Sequence, residues 1–295
     1  MQFQSLFVAN GKPGTGLLVT LVSGLANVFL DYYFIAVCNM GVAGAAVATG
    51  IGYFIAAVFG LYYFARHREA PLHFVKPRAS MQTLMRAMTN GSSEMVSNLS
   101  TSVTTFLFNI IMMRLIGPDG VAAISILLYL DFVLIAINLG YSIGVAPLFS
   151  YNYGSGDCRK LKKLFRISLY FCTSVGVVMT AGTVLFADWL ASVFSPAGSA
   201  VHALAATGLR IFAVSYLFKG FSIFTSALFT AFGNGTLSAI LSFMRTLILL
   251  VSAILLFSSL FGITGVWSAT PAAETIAFLL AAFLAWKYGK VYRYL

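Results

Sequence analysis

The chain has 295 residues, of which 60% are hydrophobic, 15% aromatic and only 9% charged, and its formal net charge is +10. So little charge cannot cover a soluble domain with polar surface, so the composition reads as an integral membrane protein. The surplus of Lys and Arg is explained by topogenic bias and by anionic membrane lipid, and nucleic acid is excluded as a partner because the basic residues are scattered among short loops.

Residues 1–9 are apolar but too short to cross a bilayer, and they lack the basic start and cleavage site of a signal peptide, so they read as the tail of a preceding helix. Eight apolar segments follow, at about 15–37, 42–65, 91–114, 121–147, 166–190, 206–231, 238–260 and 264–286. They are too long for barrel strands and lack strand alternation. The expected fold is an all-α integral membrane protein with about eight transmembrane helices.

Between the second and third spans lies the longest polar stretch, Arg66 to Asn90, broken by Pro71 and Pro77. There Ser80 is expected to cap a short amphipathic helix, Met81–Met88, lying on the membrane surface. Placing Lys12, the loops 66–88 and 148–165 and the tail 287–295 on one side gathers 14 of the 18 basic residues, with Arg166 counted at the edge of its span. Arg114 alone falls on the other side, while Arg210, Lys219 and Arg245 fall inside spans. The basic side is the cytoplasmic one, which puts the C-terminus of this multi-pass chain in the cytoplasm.

Residues 10–65 and 234–288 read as one passage written twice. Asn10-Gly11 leads through an apolar span to Met40-Gly41-Val42-Ala43-Gly44-Ala45, and Asn234-Gly235 leads to Phe261-Gly262-Ile263-Thr264-Gly265-Val266. An echo about 220 residues apart indicates a duplicated membrane bundle instead of a short-period solenoid. The second copy has far more chain before it than the first, so about four helices are expected to be missing from the front. The expected organisation is residues 1–75 as the last two helices of a first six-helix lobe, 76–90 as a cytoplasmic linker, and 91–295 as a complete second six-helix lobe.

Four of the eight acidic residues, Asp31, Glu94, Asp131 and Glu274, fall inside or at the edge of spans, where a charge costs about 2.5–3.5 kcal/mol. Glu94, Asn98, Thr101, Thr105 and Asn109 follow helical spacing and share one face, as do Asp131, Asn138 and Ser142, and Ser215, Lys219, Ser222, Ser226 and Thr230. Such faces suit a cavity. The alternative for Ser and Thr is local bonding to the carbonyl at i−4 or packing between helices.

Asn27 and Asp31, one turn apart, suit a structural hydrogen-bonded pair as well as a coupling role. Glu274 follows Pro271 by three and suits either a cavity or a kink. Lys219 and Arg245 suit pairing with Asp131 or Glu274, since buried charges are usually matched. Met112, Met113 and Tyr129 suit the wall of a pocket. Cys38, Cys158 and Cys172, with His67, His73 and His202 in predicted loops, show no metal or nucleophile spacing, so neither metal nor cofactor nor enzymatic activity is expected.

Asn27-x3-Asp31 with Met40 to Thr49, then Gly91-Ser92-Ser93-Glu94, Ser150-Tyr151-Asn152-Tyr153-Gly154 and Gly262-Ile263-Thr264-Gly265-Val266-Trp267, occur in an order that resembles the MATE (multidrug and toxic compound extrusion) transporters, in their prokaryotic MepA-like branch. The resemblance covers essentially the whole chain. It implies a two-lobe antiporter of the plasma membrane, the prokaryotic inner membrane, that exports cationic or amphipathic xenobiotics in exchange for protons or sodium ions. This chain would hold its fifth to twelfth helices.

Desolvation favours protonation of a buried carboxylate, which suits such exchange. Where relatives of the NorM type carry an acidic residue mid-way along the seventh helix, this chain has Ser100-Thr101, with Glu94 about two turns nearer the cytoplasm. Ion or substrate binding is therefore expected among Glu94, Asn98, Thr101, Asp131, Lys219 and Glu274, and coupling or structural roles at Asn27, Asp31 and Arg245. The alternatives are a lipid-linked oligosaccharide flippase of the same superfamily, for which Arg210, Lys219 and Arg245 would supply cationic charge, or a non-transporting truncated remnant.

Overall fold

The computed structural model describes residues 2–67, 72–75 and 80–294, with the side chains of Gln2, Arg86, Asn90, Ser92, Ser93 and Glu94 outside that description. Among the described residues every regular element is helical. The chain forms two compact units, Met1–Ala79 and Ser80–Leu295.

The first unit contains α1 (Gln2–Ala9), α2 (Pro13–Asp31) leading into a π-helical segment (Tyr32–Val37), and α3 (Gly41–Arg66). Pro13 suits the first turn of α2, where its missing N–H is no loss. Its core is Phe7, Val19, Tyr63 and Phe64. Gly60 faces the Phe3 ring so closely that no Cβ would fit. The expected Asn27–Asp31 pair is not formed. Asn27 Nδ2 and Asp31 Oδ1 are both buried without a hydrogen-bond partner: spacing of one turn brings two side chains near each other, and their rotamers decide whether they bond.

The second unit contains α4 (Met81–Leu115), α5 (Pro118–Gly154), α6 (Cys158–Leu185), α7 (Ala187–Phe194), α8 (Ala200–Phe212), a 3₁₀ turn (Ala213–Ser215), α9 (Tyr216–Ala231), α10 (Gly235–Phe243), a second π-helical segment (Met244–Leu249) and α11 (Leu250–Gly289). Ser80 does cap its helix, accepting the Thr83 N–H at 3.3 Å. The helix, however, does not stop at Met88. With no proline and only Gly91 to weaken it, it continues through the third predicted span to Leu115.

The predicted basic loop 148–165 is almost all helix as well. Pro147 is absorbed inside α5, the connection is only Ser155–Asp157, and Asp157 caps α6 through Lys160 N at 3.0 Å. That bond, with the Lys160 ammonium, holds the Asp157 carboxyl below the usual carboxylate range. Phe186 (φ −106°, ψ 20°) interrupts the span predicted over 166–190. His202, expected in a loop, lies in the first turn of α8, where its ring nitrogen meets the Asp188 carbonyl at 3.1 Å.

Among the described residues, seven segments are long and apolar enough to cross a membrane. The last, Gly235–Gly289, has 55 residues, which at 1.5 Å per residue far exceeds a hydrocarbon core of about 30 Å. Gly262 (φ 57°, ψ −129°) divides it, and the chain turns there so sharply that a Cβ on Gly265 would overlap the Phe257 carbonyl. The equivalent turn of the first copy is Gly41, with φ 56°, so both copies reverse on a glycine in a conformation that side chains avoid. At the other end the structure shifts the register: Gly11 (φ 73°) corresponds to Gly233 (φ 76°), each two residues before a helix, and not to Gly235.

Large apolar side chains such as Phe29, Phe54 and Phe106 are about 70% exposed. That surface suits hydrocarbon. Inside the second unit, α9 is fixed by close backbone approaches. A Cβ on Gly176 of α6 would stand 2.7 Å from the Tyr216 carbonyl, and one on Gly220 of α9 would stand 2.7 Å from Asn138 Oδ1 of α5. Gly176→Val is therefore expected to destabilise the unit by about 1–3 kcal/mol. A thermal melt in detergent checks this, and an unchanged midpoint would refute the close approach.

Candidate functional site

Asp131 sits in the first half of α5, Lys219 in the first turn of α9, Glu274 on α11 one turn past Pro271, and Arg245 in the π-helical segment. Packing brings all four together. Lys219 Nζ donates to Asp131 Oδ1 at 2.7 Å and Oδ2 at 2.8 Å and lies 3.9 Å from Glu274 Oε1, which Arg245 Nη1 approaches to 3.5 Å. Their side chains are only 5–12% exposed. Two carboxylates and two cations sum to zero, which is what a medium without water demands of buried charge. The Phe212 ring lies 5.6 Å from the ammonium and covers it on the side of α8.

The tetrad lines a cavity of about 1180 Å³, its open mouth included. Asn98, Thr101 and Thr105 of α4 line the same cavity, as expected, and Ser226 of α9 joins them. Asn109 does not; it is on the same face but its Oδ1 is enclosed without a partner. Thr101 directs its hydroxyl to the Ser97 carbonyl at 2.9 Å, the local bonding open to any helical threonine, so it offers a lone pair to the cavity instead of a proton.

Of the polar stripe predicted on α5, Asp131 lines the cavity and Asn138 and Ser142 do not. Asn138 donates to the Leu134 carbonyl at 3.0 Å and lies against Gly220, and Ser142 is buried. Ser222 on α9 and Ser215 in the 3₁₀ turn before it are fully buried and do not line the cavity. Thr230 donates to Ser238 of α10 at 2.7 Å and acts between helices.

The Glu94 side chain lies outside the described residues. Asn27 and Asp31 belong to the other unit. Glu274 faces the tetrad rather than the kink, where Thr275 bonds the Pro271 carbonyl at 2.7 Å. Arg210 is elsewhere, paired with Asp188 at 2.6 Å on an exposed surface. Met112 is core, while Met113 and Tyr129 are exposed outside the cavity. Sequence reasoning missed Ser97, Thr104, Ser242, Thr246 and Thr270, which also line the cavity. The wall is wider than a single i, i+3, i+4 stripe, and Thr270, just before Pro271, carries a buried hydroxyl with no partner.

Removing one partner of a buried pair strands the other. Asp131→Asn is expected to cost about 3–5 kcal/mol, and Lys219→Met added to it should recover most of that loss. A double-mutant cycle on the melting transition checks the coupling, and strictly additive losses would contradict it.

The MatE family model matches residues 95–255, more than half of the chain. The multidrug export protein MepA of Staphylococcus haemolyticus is 27% identical over 283 residues, covering 94% of this chain and 61% of its own length. A solved outward-facing multidrug resistance MATE family transporter of the MOP superfamily superimposes with a TM-score of 0.88 at 23% identity, over 97% of this chain and 64% of its own. A MOP superfamily transporter from Pyrococcus furiosus, described as having a binding pocket of reverse polarity, aligns with a TM-score of 0.83 at 24% identity, over 94% and 64% of the two chains. The present chain thus spans less than two thirds of the length of these relatives. It belongs to the MatE family of multi-pass membrane transporters.

Proposed function

We propose that this chain supplies the binding lobe of a multidrug efflux antiporter of the prokaryotic plasma membrane, exporting cationic or amphipathic small molecules in exchange for protons or sodium ions. The observation that carries the reading is the buried tetrad of Asp131, Lys219, Glu274 and Arg245 on the wall of an otherwise largely apolar cavity. Ionisable groups held within membrane helices are costly and mark transport pathways. The apolar lining, with Phe108, Phe132 and Phe212, suits amphipathic cargo. The likeness to MepA over 94% of the chain supports the same substrate class. An anionic lipid carrier suits the cavity less well, because its two cations are already balanced and Arg210 is not on its wall.

In a protein of the relatives' full length, Asp131→Asn and Glu274→Gln should each slow ethidium efflux by at least about tenfold, the effect of losing 1.4 kcal/mol from a charged site. Efflux driven by imposed proton and sodium gradients is the measurement. Parental rates and pH profiles in both variants would move ion binding away from this cavity, with Glu94 next in line.

The same reading places the C-terminus in the cytoplasm, given the basic residues Lys287, Lys290 and Arg293. A cysteine at Lys290 should resist a membrane-impermeant thiol reagent applied to intact cells. Labelling from outside would invert the topology.

A further inference from the structure

We infer, resting on the cation-export reading above, that Lys219 is a tethered occupant of the lobe's cation site: an external cation enters between Asp131 and Glu274 only as the Lys219 ammonium gives up a proton. The ammonium makes two short bonds to Asp131 and stands 3.9 Å from Glu274, so it fills the space where a bound cation would meet both carboxylates. With Arg245 on Glu274 the tetrad sums to zero. An added cation would leave it with a net positive charge in a poorly solvated site, and the cost falls away if one resident positive charge leaves.

Arg245 cannot supply that charge, since a guanidinium keeps its proton under all relevant conditions, whereas an amine can give its proton up. The balance is simple. One Nζ–H bond breaks, the proton passes to water, the nitrogen keeps its electron pair as a neutral amine, and the entering cation replaces the lost charge. Exchange of one proton for one monovalent cation then follows without either carboxylate titrating.

The groups around Lys219 leave no other described proton donor for this step. Asp131 faces it from α5, Glu274 from α11, Arg245 from the π-helical segment and the Phe212 ring from α8. The cavity wall from α4 and α10 offers only amides and hydroxyls among its described polar side chains. On α6, which packs against α9, Cys172 belongs to a separate apolar cluster. Tyr216, one turn before Lys219 on α9, is fully buried with its hydroxyl unpartnered, and it does not line the cavity.

The test is titration of the purified chain in detergent with tetraphenylphosphonium, by calorimetry in two buffers of different ionisation heat. The wild type should release about one proton per cation bound, and its affinity should rise about tenfold per pH unit, as linkage requires. Lys219→Met should bind at least about tenfold more tightly with no proton released, and Lys219→Arg, which keeps the charge but has no releasable proton, at least about tenfold more weakly at any pH.

Wild-type binding without proton release overturns the inference, as does Lys219→Arg binding like the wild type. If Lys219→Met fails to fold, Lys219→Arg decides. Equal affinity in wild type and Lys219→Met, with no proton released, removes the role of Lys219 and leaves the export reading standing. Absence of binding in every variant removes both.

Discussion

A charge in a membrane interior must find its opposite. The 2.7 Å bond between Lys219 and Asp131 is where this chain meets that demand, and much of the second unit serves it. Each residue sits within an apolar span, and their side chains are only 5–10% exposed, so each charge is answered mainly by the other. The two helices must therefore touch at one level, and the touching is possible because Gly220, next to Lys219, lets α9 lie against Asn138 of α5. Gly176 does the same for α6 against Tyr216, and Gly208 leaves room for Trp267 of α11. Small residues at the crossings and matched charge between them are two parts of one solution.

The tetrad bears on the question of what such a cavity would hold. A pocket with uncompensated carboxylates attracts any cation, including the abundant inorganic ones. A balanced pocket discriminates, because entry requires a rearrangement of resident charge. Arg245 and Lys219 are unlike in this respect. The first is a fixed counter-ion on Glu274, and the second is a compact ammonium placed between two carboxylates.

The fold was legible where the signal is long and uniform. Apolar runs of membrane length and the paired Gly41 and Gly262 turns were visible in the residues alone, and both glycines take the left-handed backbone that their positions require. Helix ends were less legible. Pro147 and the polar run before Glu94 look like boundaries, yet a proline can sit inside a long helix when neighbours support it, and a polar stretch is no obstacle to a helix that is well capped. At the site, Asp131, Lys219, Glu274 and Arg245 were found because charge within an apolar run is conspicuous. Which carboxylate would meet which cation was not in the sequence, since helical spacing describes one helix and the pairing joins four segments. Ser97 and Thr270 were missed for a related reason: a hydroxyl beside a cavity has the same composition as a hydroxyl bonded to its own helix.

The two π-helical segments, Tyr32–Val37 and Met244–Leu249, lie one in each copy of the repeat. Elsewhere in a span, one inserted residue would rotate everything beyond it by about 100° and turn core faces outward. A π-helical turn is how a helix holds one residue more while its flanks keep their phase. Ser238 and Ser242 on one side of Met244–Leu249 stay bonded to Ser226, and Ile254 on the other stays in the core. Single-residue deletions should therefore be tolerated inside these two segments and nowhere else along the same spans, so a length difference between relatives at this point is a change of helix winding, not of loop length.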